Sequence, residues 1–223
     1  MIDLKYQLVY NAALRELLRG ESLSIDSLAQ KTGLSPGVVE SALEYIGVNS
    51  AELEALDATR IVINAWKAGF DVIGLALTLG WQGLEELCSE IFAEAGYTAL
   101  RNFRFKHKGR RYEIDVVAWK ENYIIAADCK RWSRIRRSAL REAALRQRER
   151  AEALAEGLYD AALPLRGGVY HVCPAIIAVY GPGREVYGGV PIVSLRELRG
   201  FLAGLEGSLA DIRCFRGVKT ALV

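Results

Sequence analysis

The 223 residues can bury a core in one large domain or in a small and a medium one, which excludes disulfide-stapled miniproteins. Hydrophobic residues make up 51% and charged residues 25%, with five prolines, so disordered and fibrous chains are excluded too. A net charge of +2, from 29 basic and 27 acidic residues, selects no partner by itself.

No apolar run reaches the roughly 18 residues of a membrane helix, and the N-terminus lacks the apolar core of a secretion signal. No membrane association and a cytoplasmic location are therefore expected. Cys88, Cys129, Cys173 and Cys214 are widely spaced with no CxxC pair, and reduced, mostly buried thiols are expected. The 21 Arg against 8 Lys, with few amides, lean towards a thermophilic source.

Leu8, Leu14, Leu17 and Leu18 fall near helical spacing, and Gly20 suits a helix end. Ser24 can cap a short helix holding Leu28 and Ala29, Gly33 supplies a turn, and Ser35-Pro36 opens a helix with Val39, Ala42, Leu43 and Ile46 on one face. The order resembles a helix-turn-helix of the winged-helix kind. Its second helix carries Glu40 and Glu44 but no Arg or Lys, and Ser24 to Asp57 sums to −5 (Asp26, Glu40, Glu44, Glu52, Glu54 and Asp57 against Lys31). That sign opposes DNA binding and favours a packing or protein-contact module over base readout. Residues 50 to 79 read as further helix, with Ile61, Val62, Ala65 and Trp66 on one face. The expected domains are 1–79, all-α, and 80–223, α/β.

Residues 81 to 97 predict an amphipathic helix whose apolar face carries Leu84, Leu87, Cys88, Ile91 and Phe92. Glu85 lies at the edge of that face, and Glu86 points away from it. Strands are predicted at 99–105, 112–119, 123–130, 175–180 and 189–193, the first two joined at Lys108-Gly109. Alternation puts Tyr112, Ile114 and Val116 on one side and Asp115 on the other. Asp128 and Lys130 share a face at the end of the third strand, and Cys129 points oppositely. His171 and Cys173 read as a packed strand rather than metal ligands, and His107 as an exposed hairpin residue.

A helix-edge Glu, a strand Asp, then Asp-x-Lys closing the next strand resembles the PD-(D/E)XK nuclease superfamily. The nearest likeness is to its Mrr-like and archaeal Holliday-junction-resolvase-like branches. Leu84-Glu85-Glu86-Leu87 through Gly96-Tyr97, Ile114-Asp115-Val116-Val117-Ala118 and Asp128-Cys129-Lys130-Arg131-Trp132 carry it. Ile114 replaces the proline of the superfamily name, and Asp128 stands where many Mrr-like members have Gln or Glu. Neither departure removes a ligand.

The resemblance implies a restriction-endonuclease-like mixed sheet flanked by helices, and a DNA endonuclease of repair, recombination or restriction that uses Mg²⁺ or Mn²⁺. Glu85, Asp115, Asp128 and Lys130 would be catalytic. Asp115, Asp128 and the Cys129 carbonyl would bind the metal, with Glu85 acting through water or a second metal. Lys130 would orient or deprotonate the attacking water, or stabilise charge on the phosphate. The alternative for these residues is an edge ion pair between Asp128 and Lys130, with Asp115 capping a loop. The alternative for the chain is a DNA-binding or regulatory protein that keeps the fold without catalysis. A homodimer is expected, as is a protein partner for the acidic N-terminal module.

Charge then segregates sharply. Lys130 to Arg150 carries nine basic and two acidic residues, +7 in all, with Arg134, Arg137, Arg141 and Arg148 on one face of a long helix and Leu140, Ala144, Ala151, Leu154 and Leu158 as the opposite, apolar stripe. With Arg131 and the hairpin residues Arg104 and Lys106, those four arginines are the candidate DNA phosphate contacts.

Overall fold

A computed structural model describes residues 4–49, 53, 56–132, 137–181 and 184–220. The chain divides into two units, Met1–Gly83 and Leu84–Val223.

The first unit is helical: α1 (Leu4–Leu18), α2 (Ile25–Thr32), α3 (Pro36–Tyr45), α4 (Ala58–Lys67) and α5 (Ile73–Ala76). Ser24 caps α2 by accepting from Ser27 N, Gly33 ends it at φ 69°, and Pro36 opens α3, because each residue suits that backbone. Tyr10 on α1 donates to Ala42 O on α3 at 2.7 Å, and the buried Glu16 is neutralised by Lys31 at 2.8 Å. The α1 stripe differs from expectation: Val9, Tyr10, Ala13 and Leu14 face inward, whereas Leu8 and Leu18 are exposed. Of the helix expected from residue 50, positions 50–52, 54 and 55 lie outside the described residues, and α4 starts at Ala58, where Asp57 caps it. No strand occurs in this unit among the described residues, so the winged form of the motif has no counterpart there. Glu52 and Glu54 lie outside the described residues.

The second unit is an α/β structure: α6 (Trp81–Glu94, entering from the first unit), β1 (Thr98–His107), β2 (Arg110–Lys120), β3 (Tyr123–Lys130), α7 (Arg137–Glu156), β4 (Gly168–Ala178), β5 (Arg184–Tyr187), β6 (Val190–Ser194), α8 (Leu198–Ala203), α9 (Leu205–Ser208) and β7 (Phe215–Lys219). The mixed sheet runs β1-β2-β3-β4-β6-β5, with β7 also paired to β4. The contacts β3–β4 and β4–β6 are parallel, and the rest are antiparallel. Strands β5 and β7 are additions to the expected set.

Helix α7 crosses the sheet. Its first half packs Leu140, Ala143 and Ala144 on Ile176 and Ile192, and its second half packs Ala151, Leu154 and Ala155, with Leu158 just beyond the helix, among Phe103, Ile114, Val117 and Ile124. Pairing of β2 with β3 ends at Val116–Ala127, so the far part of the β1–β2 hairpin overhangs the sheet as a two-stranded arm. The arm is fastened to α7 by His107–Glu156 (2.8 Å), Lys108–Glu156 (2.6 Å) and Arg110–Glu149. His107, expected to be exposed, has a side chain only 12% exposed because of this docking.

Cys173 and Cys214 form a disulfide, contrary to the expectation of four thiols. Val172 pairs with Phe215 across β4 and β7, which brings the adjacent cysteines to a Cα separation of 4.2 Å although 41 residues part them in sequence. Cys88 and Cys129 are free and buried. Reduction of the 173–214 bond is expected to lower stability by about 4 kcal/mol, the usual scale for a loop of this length. Thermal unfolding with and without dithiothreitol checks it.

Candidate active site

The candidate site forms where β2 and β3 part company. Asn102 of β1 and Asp115 of β2 face each other at a level the ladder skips: Arg101 pairs with Val116 and Phe103 with Ile114. Asn102 has φ 53°, a left-handed backbone that asparagine tolerates better than most residues. The consequence is a break in alternation. Ile114 and Val117, three apart, both enter the core beneath α7, so Tyr112, Ile114 and Val116 do not form the single face expected. Such irregularities re-aim side chains near functional sites. Here the released Asp115 turns its Oδ2 to accept the Cys129 backbone N–H at 2.8 Å, which fixes it against β3.

Asp128 and Lys130 share parity with Ile124 and Ala126, which pack under α7, so both project on that side. Lys130 Nζ lies 2.7 Å from Asp128 Oδ2, and Arg150 of α7 donates to Asp128 Oδ1 at 3.0 Å. Arg150 also donates to Gln147 Oε1 at 3.1 Å, and Gln147, fully buried, donates its amide to the Ala126 carbonyl at 2.7 Å. The chain Ala126–Gln147–Arg150–Asp128 thus pins α7 to β3. Sequence reasoning counted Arg150 only as part of a basic run and passed over Gln147 and Asn102. A glutamine three residues before an arginine, on the apolar side of a helix, was the available signal.

Glu85 stands on α6, 8% exposed, one turn before Cys88. Asn102 hydrogen-bonds its side chain, yet Glu85 Oε2 is buried without a hydrogen-bond partner. Burial raises the Glu85 pKa from its ordinary value, the Asn102 bond and Arg101 oppose the rise, and Glu113 and Asp128 add to it. Burial, then the charge of Asp128, pushes Asp115 up to about 6, against the Cys129 N–H bond and the attraction of Lys130. The free thiols of Cys88 and Cys129 hydrogen-bond, and that contact together with burial holds Cys129 well above the ordinary thiol range. It is therefore an inert core group. Asp115, Asp128 and Lys130 are thus brought together, and Glu85 joins them through its field rather than by contact.

A nuclease-related domain (NERD) family model matches residues 79–166. The match takes in α6 through α7, and with them every side chain of the cluster. It fits a nuclease superfamily and suggests a nuclease-related function. No curated protein matches the chain. Among solved structures, protein VC1899 from Vibrio cholerae is similar at 12% identity and a TM-score of 0.38, over 95% of this chain and 58% of that one.

The donor chemistry suits a hard divalent cation: three acidic side chains, with the charge of Asp128 raising the proton affinity of both Asp115 and Glu85, and with Glu85 holding an orphaned buried oxygen. Among the described residues no three His, Cys, Asp or Glu side chains are already gathered as a ligand set, and both Asp128 oxygens are taken by Lys130 and Arg150. A cation on Asp128 would compete there with two positive charges already in contact.

The candidate phosphate contacts fare unequally. Arg137, Arg141 and Lys106 are exposed, and Arg104 is exposed but paired with Glu113 at 2.9 Å. Arg131 is half-buried beside Lys130. Arg148 is half-buried, with its guanidinium beside the Gly188 turn. Arg134 and Arg136 lie outside the described residues. No helix among the described residues is long and apolar enough to cross a membrane.

Proposed function

We propose that the unit Leu84–Val223 is a Mg²⁺- or Mn²⁺-dependent DNA endonuclease of repair, recombination or restriction. The observation that carries this reading is the meeting of Asp115, Asp128 and Lys130 just beyond the point where the pairing of β2 with β3 ends, with Glu85 electrostatically coupled to both aspartates. A bound divalent cation supplies neutralisation of phosphodiester charge and acidification of water. Asp115, Asp128 and the Cys129 carbonyl would hold it, and Glu85 would act through water or a second ion. Lys130, already held in place by Asp128, orients the attacking water or counters charge on the phosphate. Arg137 and Arg141 on α7 and Lys106 on the arm would contact the DNA backbone. The acidic first unit, a helix-turn-helix-like module on this reading, would serve a protein contact.

Plasmid or branched DNA should be nicked in Mg²⁺ by the wild type, and about 10²- to 10⁴-fold more slowly by Lys130→Ala. Equal rates for wild type, Asp115→Ala and Lys130→Ala would sink the assignment. The double cationic pairing of Asp128 favours one other reading, a DNA-binding protein without catalysis. DNA binding without any divalent-cation uptake in a calorimetric titration would select it.

A further inference from the structure

Charge compensation across the three acids is lopsided. Asp128 has a cation on each oxygen, Lys130 at 2.7 Å and Arg150 at 3.0 Å, and its side chain is only 4% exposed. Asp115 is held by a backbone N–H, and Glu85 keeps a buried oxygen with no hydrogen bond. A divalent ion among these carboxylates would leave Asp128 with one cation too many. The two candidates to leave are not equivalent. Lys130 lies on the same strand two residues away, whereas Arg150 reaches in from α7 on a long side chain that is 31% exposed.

Resting on the metal-dependent reading above, we propose that Arg150 is a positioning residue that occupies the cation's place on Asp128 in the metal-free protein and yields it when the metal binds. Gln147 makes the exchange local. Its amide nitrogen serves the Ala126 carbonyl, so its oxygen must face Arg150, and it keeps the guanidinium beside the site after Asp128 is released. Without such a stand-in, the buried Asp128 would lose one of its two counter-charges whenever the metal is absent.

The experiment titrates Mn²⁺ into the DNA-free full chain, followed by calorimetry and by the electron paramagnetic resonance of free Mn²⁺. Arg150→Met removes the competing charge and keeps the apolar stem, so it should bind Mn²⁺ about tenfold more tightly than wild type, despite a lower melting temperature. Arg150→Lys keeps the charge and should stay within about threefold of wild type. A residue that merely braced the site would give the opposite sign, with looser binding when removed. If Arg150→Met does not unfold cooperatively, Arg150→Gln, neutral and still able to donate to Asp128, replaces it with the same expected tightening. Wild-type binding with unchanged or weaker binding by the neutral variant overturns the exchange while leaving the metal-dependent reading intact. Absence of Mn²⁺ binding in every variant overturns both.

Discussion

Replacing Asp128 by alanine is expected to abolish DNA cleavage and to cost about 2–4 kcal/mol of stability. Its carboxylate is the shared anion of Lys130 and Arg150, and its removal leaves two like charges facing one another beneath α7. Breaking a fully buried pair costs roughly 3–5 kcal/mol. Both cations keep some solvent access, with side-chain exposures of 24% and 31%, so hydration recovers part of that and the expected value sits lower. Asp128→Asn keeps an acceptor and the packing volume and should lose roughly half as much. Urea unfolding followed by tryptophan fluorescence gives the stability, and plasmid nicking gives the rate, expected to fall at least about 10³-fold in both variants. An Asp128→Ala variant as stable as wild type would mean that the Lys130 and Arg150 pairs contribute nothing.

Asp115 is expected to trade stability for activity, with a definite sign in pH. Its pKa rises from an ordinary 3.8 to about 6 in the folded protein. Between those values the folded chain holds a proton that the unfolded chain has released, so the Asp115 contribution to stability is largest below about pH 4 and is lost as pH rises through about 6. The full displacement corresponds to ~3 kcal/mol at most, and because Asp115 is only partly buried ~1–2 kcal/mol is expected. Asp115→Asn cannot ionise, and its amide oxygen can still accept the Cys129 N–H. The variant should therefore be ~1–2 kcal/mol more stable than wild type near pH 8, with the gain vanishing near pH 4, while cleavage falls at least about 100-fold. Millimolar Mg²⁺ should raise the melting temperature of the wild type and leave that of the variant unchanged. Denaturant curves across this pH range check the sign, and a variant less stable at pH 8 would refute it.

The parts of the site set by local rules were legible. Strand parity alone puts Asp128 and Lys130 on one face and Cys129 on the other, and Lys108-Gly109, with φ 47° and 78°, is the turn its residues call for. The apolar stripe of α7 was readable too, since Leu140, Ala144, Ala151 and Leu154 are buried. What escaped depends on tertiary structure. The face of Asp115 is decided by the Asn102 kink on a neighbouring strand, which no count along β2 can reveal. Which of many arginines meets Asp128 depends on where α7 crosses β3, and a periodicity shows a face without showing what lies under it. The disulfide joins strands brought together by the sheet, so spacing along the chain carried no sign of it.

The arm of the β1–β2 hairpin shows why the charge of α7 is a poor measure of its grip on a polyanion. Glu149 and Glu156 are fasteners: they neutralise Arg110 and Lys108, and Glu156 also holds the His107 ring, and so convert hairpin charge into attachment. These fasteners are exposed ion pairs, and dissolved ions weaken them just as they weaken phosphate contacts. Ionic strength therefore acts twice on the same element, thinning its attraction for nucleic acid and loosening the mount that aims it.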